Sequence, residues 1–149
     1  SQTYDELPVL AWENNQATVT FQPTASADWA ISGKHMLISN GQIQIAPVKS
    51  TDGERHPRTA VGFNQANERW WFVVIDGRQE DYSLGLTVKE LAVLMLELGA
   101  WEAINLDGGG SSAMAVKIAG KPTLMNAPFH TRIPVRERPV ANHLGIKIE

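Results

Sequence analysis

The stretch Asn105-Leu106-Asp107-Gly108-Gly109-Gly110-Ser111-Ser112 sets the organisation of this chain. It follows the apolar pair Ala103-Ile104 and leads into residues 113–118, which alternate roughly as a strand does. Consecutive glycines lose much backbone entropy on folding, so they indicate positive φ angles or a close approach to the backbone. Their N–H groups can converge on an anion, and Asp107 at the strand end can point into a cleft. A tight turn capped by its own Asp and Ser side chains is the alternative interpretation.

Length and composition limit the class of protein. The chain has 149 residues, the size of one domain, and we expect a single domain over residues 1–149. The net charge of −3 and the lack of a basic run give no electrostatic footprint for nucleic acid or a membrane surface. There are no cysteines, which excludes disulfides and thiolate metal sites. The apolar runs are too short and interrupted for a membrane span.

Alternation and turn residues predict a chain rich in β-structure. Residues 1–13 are predicted to form an irregular lead-in, because Pro8 opposes a helix. A hairpin is predicted over residues 35–45, since Asn40-Gly41 can adopt the two positive φ angles of a type I′ turn. Residues 46–58 are predicted to be a polar loop. Further strands are predicted at residues 17–22, 29–31, 59–63, 70–75, 113–118 and 140–148. The almost wholly apolar run 70–75 is typical of a central strand covered on both faces.

One helix is predicted over residues 87–98. Thr87 and Glu90 have the spacing of a capping box, and Gly99 stands where a left-handed residue ends a helix. Residues 69–112 therefore form a strand–helix–strand unit. The predicted fold class is α+β: a mixed, largely antiparallel sheet with this helix packed on it.

Carboxylates follow two of the predicted strands, as Asp76 and Asp107. Clefts in strand–helix–strand folds lie at strand ends, and two separated carboxyl groups are the equipment of glycosyl transfer to water. A turn cap is the alternative role for each. The planar guanidinium of arginine suits phosphate, although loop arginines are mostly solvated; those in loops here are Arg55, Arg58, Arg78, Arg132, Arg136 and Arg138.

Metal sites and activated nucleophiles have little support in the sequence. The four histidines fall at no metal-ligand spacing, so no metal or cofactor is predicted. The glycine stretch lacks the Lys-Ser/Thr ending of a P-loop. Ser111 as a nucleophile needs a base; His56 or His143 can serve in principle, but the sequence places neither beside it.

Four motifs, in this order, resemble those of the phosphodiester glycosidase family: His56-Pro57-Arg58-Thr59-Ala60, Val74-Ile75-Asp76-Gly77-Arg78, the stretch 105–112, and Arg138-Pro139-Val140-Ala141-Asn142. The resemblance covers about residues 29–148. Members of this family split the bond between a sugar's anomeric carbon and a phosphodiester oxygen, releasing free sugar and a phosphomonoester. The resemblance implies a secreted or periplasmic hydrolase that acts on a glycosyl-phosphodiester or phosphoglycan without a cofactor.

The resemblance also implies roles for individual residues. Asp107 acts at the anomeric centre, with Asp76 as the second carboxyl group. Ser111 and Asn142 are hydrogen-bond partners for sugar hydroxyls. The phosphate is held by arginines and by loop N–H groups, from Arg58, Arg78, Arg138, Gly108, Gly109 and Gly110.

The chain departs from the family pattern in one respect. Members usually carry an Asn-Gly-Gly-Phe-Phe-like segment upstream of the matched region, and nothing like it precedes Trp29. We therefore expect a missing N-terminal segment, with a separately cleaved piece or a second copy of the chain covering the sheet. Two other functions stay open: a non-catalytic carbohydrate- or phosphoglycan-binding module, and a structural domain whose glycine loop is only a turn.

Overall fold

The structure, a computed structural model, describes residues 7–22, 26–44, 53–141 and 143–147. One helix, α1 (Val88–Glu97), lies between the seventh and eighth strands of these residues. The strands are β1 (Val9–Glu13), β2 (Gln16–Thr20), β3 (Trp29–Ser32), β4 (His35–Ser39), β5 (Gln42–Ile43), β6 (Arg58–Phe63), β7 (Trp70–Ile75), β8 (Glu102–Asn105), β9 (Ala115–Ile118), β10 (Lys121–Leu124), β11 (Phe129–His130) and β12 (Ile133–Pro134).

The strands form a main sheet and three smaller ones. The main sheet has five strands in the order β5-β4-β8-β6-β7, and each neighbouring pair is antiparallel. A second antiparallel sheet has the order β2-β1-β3, while β9–β10 and β11–β12 are separate pairs. The α+β class is confirmed. Several antiparallel sheets take the place of the one mixed sheet that the sequence predicts.

The main sheet is the middle of three layers. On one face, Leu91 and Met95 of α1 are buried against Ala60 and other strand residues. On the other face, Leu10 of the second sheet packs with Val61. Ala60 and Val61 are consecutive in β6, so the pleat sends neighbouring side chains into different cores. Within the described ranges no helix has both the length and the apolar character needed to cross a membrane.

The predicted central position of residues 70–75 is wrong. Within the described residues, β7 pairs only with β6 and forms an edge of the main sheet. Its side chains contact both cores: Trp71 and Val73 pack beside α1, and Trp70 and Phe72 pack beside the second sheet. The strand is apolar because a layer covers each of its two faces. A strand can be covered in this way at the edge of a sheet as well as at its centre.

The helix start and the hairpin turn form as predicted. The Thr87 hydroxyl accepts a hydrogen bond from Glu90 N (3.1 Å), and the Glu90 carboxylate accepts one from Thr87 N (2.9 Å). Gly99 follows the helix with φ +96°. In the hairpin, Asn40 and Gly41 have φ values of 52° and 70°, the left-handed pair that a type I′ turn requires.

Two predictions at the ends of the chain are wrong. Val9–Glu13, predicted to be irregular, is the central strand of the second sheet. Pro8 fits at the start of this strand because the first position does not require a backbone N–H donor. The Pro8 carbonyl oxygen accepts a hydrogen bond from Gly33 N (2.7 Å). The described part of the predicted strand 140–148, residues 140–141 and 143–147, has no regular structure. Residues 45–52, most of the predicted polar loop, lie outside the described residues.

Candidate active site

Four strand termini meet at one end of the main sheet. Because β7 and β8 both run antiparallel to β6, and β4 runs antiparallel to β8, the ends of β7 and β8 lie beside the starts of β4 and β6. Asp107 follows β8, Arg78 follows β7, His56 precedes β6 and Lys34 precedes β4. Segments far apart in the sequence are thereby brought together.

These termini enclose a cavity of about 380 Å³. Among the described residues, its lining carries four Lys or Arg side chains but only one carboxylate, Asp107. The cavity is therefore cationic although the chain as a whole is acidic, which suits an anionic ligand. The lining residues are Lys34, His35, His56, Pro57, Arg58, Arg78, Asn105, Asp107, Gly108, Gly109, Gly110 and Arg138.

The glycine loop lies tightly against Pro57. A Cβ at Gly108 would be 2.9 Å from the Pro57 carbonyl oxygen, which also accepts a hydrogen bond from Gly109 N (2.8 Å). Gly109 has φ +64° and begins a short 3-10 turn, Gly109–Ser111. The N–H groups of Ser111 and Ser112 also bond within the loop, to Gly108 and Gly109. Several loop N–H groups that were expected to bind an anion therefore already donate to carbonyl oxygens of the protein. The main effect of the glycines is to let the loop lie close to Pro57.

Asp107 is held as a carboxylate at the cavity rim. Its side chain is 61% exposed, and its Oδ1 lies 2.8 Å from Lys34 Nζ. Partial burial acts to raise the pKa of Asp107, but hydrogen bonds from Lys34 and Ser111, the Lys34 charge and the Gly108 N–H outweigh it. The net pKa is lower than that of an ordinary aspartate. Asp107 is therefore ionised at neutral pH and can act as a base, a nucleophile or a stabiliser of positive charge.

His56 is a neutral imidazole between two charged groups. Burial, followed by the charges of Arg78 and Arg58, lowers its pKa, and Glu54 opposes this only in part. Its Nδ1 accepts a hydrogen bond from Arg78 Nε (3.4 Å), while its Nε2 lies 3.1 Å from Glu54 Oε2. Since arginine can only donate, the imidazole proton belongs on Nε2, facing Glu54. His56 thereby helps to orient Arg78.

The three predicted phosphate-binding arginines all line the cavity but differ in exposure. Arg58 is 7% exposed, and its guanidinium donates to the carbonyls of Leu86 (2.9 Å) and Glu54 (3.0 Å). Arg78 and Arg138 are exposed. A ligand in the cavity can therefore reach the last two most readily, and Arg58 supplies a buried positive charge behind them.

The structure does not bring Asp76 into the cavity with Asp107. Its carboxylate accepts hydrogen bonds from Asn126 Nδ2 (2.8 Å), Ala127 N (3.0 Å) and the Tyr82 hydroxyl (3.2 Å). Asn126 Nδ2 also donates to Ser112 O (3.1 Å). Asp76 therefore ties residues 126–127 to the glycine loop, and this geometry favours a structural role over contact with substrate.

The remaining predicted residues are placed less directly. Ser111 hydrogen-bonds the Asp107 carboxylate, so its hydroxyl orients that group. Asn142 lies outside the described residues. Among the described residues, no three His, Asp or Glu side chains are grouped so that they could hold a metal ion.

Lys34, His35 and Asn105 line the cavity, although the sequence predicts no role for them. Lys34 and His35 stand at a strand start with no local motif to mark them. Asn105 did carry a signal. It is a polar residue that continues a buried apolar strand, where asparagine is normally depleted.

Comparison with known proteins gives a family and a fold. The phosphodiester glycosidase family model matches residues 3–147. The structure is similar to the catalytic domain of zebrafish N-acetylglucosamine-1-phosphodiester alpha-N-acetylglucosaminidase, auto-inhibited by its pro-peptide, with a TM-score of 0.64 and 22% identity over 81% of this chain and 44% of that chain. A hypothetical protein from Synechocystis is similar with a TM-score of 0.51 and 16% identity, over 78% of this chain and 30% of that chain. The chain thus spans less than half the length of either. No curated protein matches it.

Proposed function

The chain belongs to the phosphodiester glycosidase family, and we propose that it hydrolyses a sugar-1-phosphodiester to free sugar and a phosphomonoester. The observation that carries this proposal is the cationic cavity with one ionised carboxylate, Asp107, at its rim. The substrate named for the zebrafish neighbour is an N-acetylglucosamine-1-phosphodiester. Its phosphodiester is negatively charged, and a cationic cavity favours the binding of such an anion.

Arg78 and Arg138 are the groups proposed to bind the phosphodiester. Each guanidinium can donate two parallel hydrogen bonds to phosphate oxygens, and both line the cavity. Arg78 is oriented by His56 (3.4 Å). Binding the phosphate here places the anomeric carbon within the same cavity as Asp107.

Asp107 is proposed to act at the anomeric carbon. The bond between that carbon and the phosphate oxygen breaks, and its electron pair leaves with the phosphate. Asp107 stabilises the positive charge that develops on the sugar or removes a proton from the attacking water. Water supplies the oxygen and one hydrogen of the new hydroxyl, and its other proton passes to solvent, either directly or through Asp107. Because phosphate is a stable anion held by arginines, it leaves without an acid to protonate it, so one carboxylate suffices.

A non-catalytic phosphoglycan-binding module is the second candidate. The position of Asp76 favours it, since the described residues do not place in the cavity the pair of carboxyl groups typical of glycosidases. We also propose a secreted or periplasmic location, with a cleaved N-terminal segment or a second chain copy as partner. The outer edge of β7 is unpaired among the described residues and offers a place for an added strand.

A coupled assay separates the two functions. The substrate is a nitrophenyl diester of a hexose 1-phosphate, and added phosphatase releases nitrophenol only from the phosphomonoester product. We expect turnover by the wild type and a loss of 10²–10⁴-fold in Asp107→Asn, typical of a lost acid–base group. Its melting temperature should fall only slightly, because Asp107 is exposed and solvent screens its ion pair with Lys34. Asp28→Asn, an exposed carboxylate outside the cavity lining, is the matched control. Binding of the diester without turnover by the wild type would establish the module instead.

A further inference from the structure

Asn105 has a side-chain oxygen for which the described part of the chain supplies no hydrogen bond. The residue ends β8, where its neighbours across the strands are His35 and Ala60. It is 1% exposed and lines the cavity. Its main-chain carbonyl accepts from Lys34 N (2.7 Å). Its Oδ1, in contrast, is buried without a partner among the described residues.

This arrangement weakens the fold unless a ligand uses it. A buried acceptor without a donor destabilises the folded state, whereas a leucine, which branches at the same carbon, would have no polar group to satisfy. In the described ranges, two other buried side-chain oxygens have no hydrogen-bond partner, one on Asn67 and one on Glu102. Neither residue lines the cavity. Asn105 is therefore distinguished by its position beside the proposed substrate.

We propose that Asn105 Oδ1 accepts a hydrogen bond from the sugar of the substrate. An ionised phosphodiester has oxygen acceptors only, so the phosphate bound by the arginines cannot supply the donor. The donors that the sugar carries are its hydroxyl groups and, in an acylamino sugar, the N–H. Asn105 is in this way a specificity residue for the sugar, and this inference rests on the proposed function. A site built to hydrogen-bond one donor discriminates against analogues that lack it.

The test compares three probes by calorimetry at pH 8: inorganic phosphate, glucose 1-phosphate and N-acetylglucosamine 1-phosphate. In Asn105→Leu, we expect unchanged affinity for phosphate and an affinity about tenfold lower for whichever sugar phosphate binds more tightly, the effect of one lost hydrogen bond. The melting temperature should stay the same or rise, since the unpaired oxygen has gone. Ile104→Val is the control. The Ile104 side chain belongs to the core between the main sheet and the second sheet, so this substitution should lower stability without changing the affinity for sugar phosphates.

A second measurement changes the ligand and compares the wild type with Asn105→Leu. The ligands are the 2-, 3-, 4- and 6-deoxy derivatives of glucose 1-phosphate and the acylamino analogue. One of these ligands should bind the wild type more weakly by the same factor that Asn105→Leu causes. That ligand should bind the wild type and Asn105→Leu with equal affinity. If Asn105→Leu melts lower and binds sugar phosphates as the wild type does, Asn105 is structural and the inference is overturned. If phosphate binds but no sugar phosphate binds more tightly, the inference fails while the phosphate site stands. If nothing binds, the proposed function fails with it.

Discussion

Replacing Gly109 by alanine tests how the glycine loop supports the cavity. Gly109 has φ +64°, and a Cβ there would lie 3.2 Å from Arg78 Nη1 and 3.3 Å from Nη2. The substitution therefore has two separable effects. It forces an L-residue into the left-handed region, and it presses on the guanidinium proposed to bind phosphate.

The expected loss of stability follows from the backbone. A left-handed conformation costs an L-residue about 1–2 kcal/mol, and the stiffer unfolded chain offsets about 0.4–1 kcal/mol of this. The net loss is about 1 kcal/mol, which corresponds to a fall of roughly 3 °C in melting temperature for a domain of this size. The contact with Arg78 adds little, because its side chain is exposed and can shift by a few tenths of an ångström.

Two other glycines separate the backbone effect from the contact. Gly120 has φ +82° with no atom within 4 Å of its added Cβ, while Gly53 has open space and no positive φ. Urea unfolding should show a similar loss in Gly109→Ala and Gly120→Ala, and none in Gly53→Ala. Inorganic phosphate, followed by calorimetry, should bind several-fold more weakly to Gly109→Ala alone. Equal stability of Gly109→Ala and wild type, or an equal loss of phosphate affinity in Gly120→Ala, would refute this reasoning.

Three other substitutions probe the charged groups. Lys34→Gln removes the side chain whose hydrogen bond and charge lower the pKa of Asp107, so the acid limb of kcat/KM should move to higher pH; an unmoved limb would contradict this. Asp76→Asn should lose about 1–3 kcal/mol of unfolding free energy, because three donors point at its carboxylate, and a melting temperature as high as that of Asp107→Asn would argue against it. The pKa of His56 is lowered in the fold, so below pH 6.5 the unfolded chain binds more protons than the folded chain and stability falls with acid. His56→Gln should lose less stability than the wild type between pH 7.5 and 5 in urea unfolding, and equal losses would rule this out.

Local signals in the sequence predicted local structure well. The Asn40-Gly41 turn needs only its own two φ angles. The capping box needs only Thr87 and Glu90, three residues apart. Each of these features depends on atoms that the short segment itself provides, and tertiary packing had no reason to alter them.

Pairing between distant strands was beyond such signals. Asn14 and Asn15 both have positive φ angles and join β1 to β2 in a local hairpin, which the prediction from Pro8 overlooked. Nothing local, however, shows that residues 9–13 also pair with β3. The apolar run of β7 indicates that both faces of the strand are covered. This covering is possible at the edge of a sheet as well as at its centre. The order of strands depends on hydrogen bonds to β6, which the composition of β7 does not encode.

The two aspartates show the same limit at the site. Asp76 and Asp107 each follow a strand and precede a glycine. They differ because Asn126 and Ala127, about fifty residues beyond Asp76, donate hydrogen bonds to Asp76 and not to Asp107, whereas Lys34 approaches Asp107. Motif spacing identified both carboxylates, but only the fold assigns one to the cavity.

The geometry of the cavity also depends on the centre of the sheet, away from any charged group. A Cβ at Gly62 would lie 2.6 Å from the Glu102 carbonyl oxygen and 2.9 Å from both Ala103 Cβ and Met95 Cε. Glycine at this position therefore allows β6 and β8 to lie close together beneath α1. Because Arg58 begins β6 and Asp107 follows β8, the spacing of these two strands fixes the distance between the buried cation and the carboxylate. The core packing and the proposed chemistry are thus coupled through the same pair of strands.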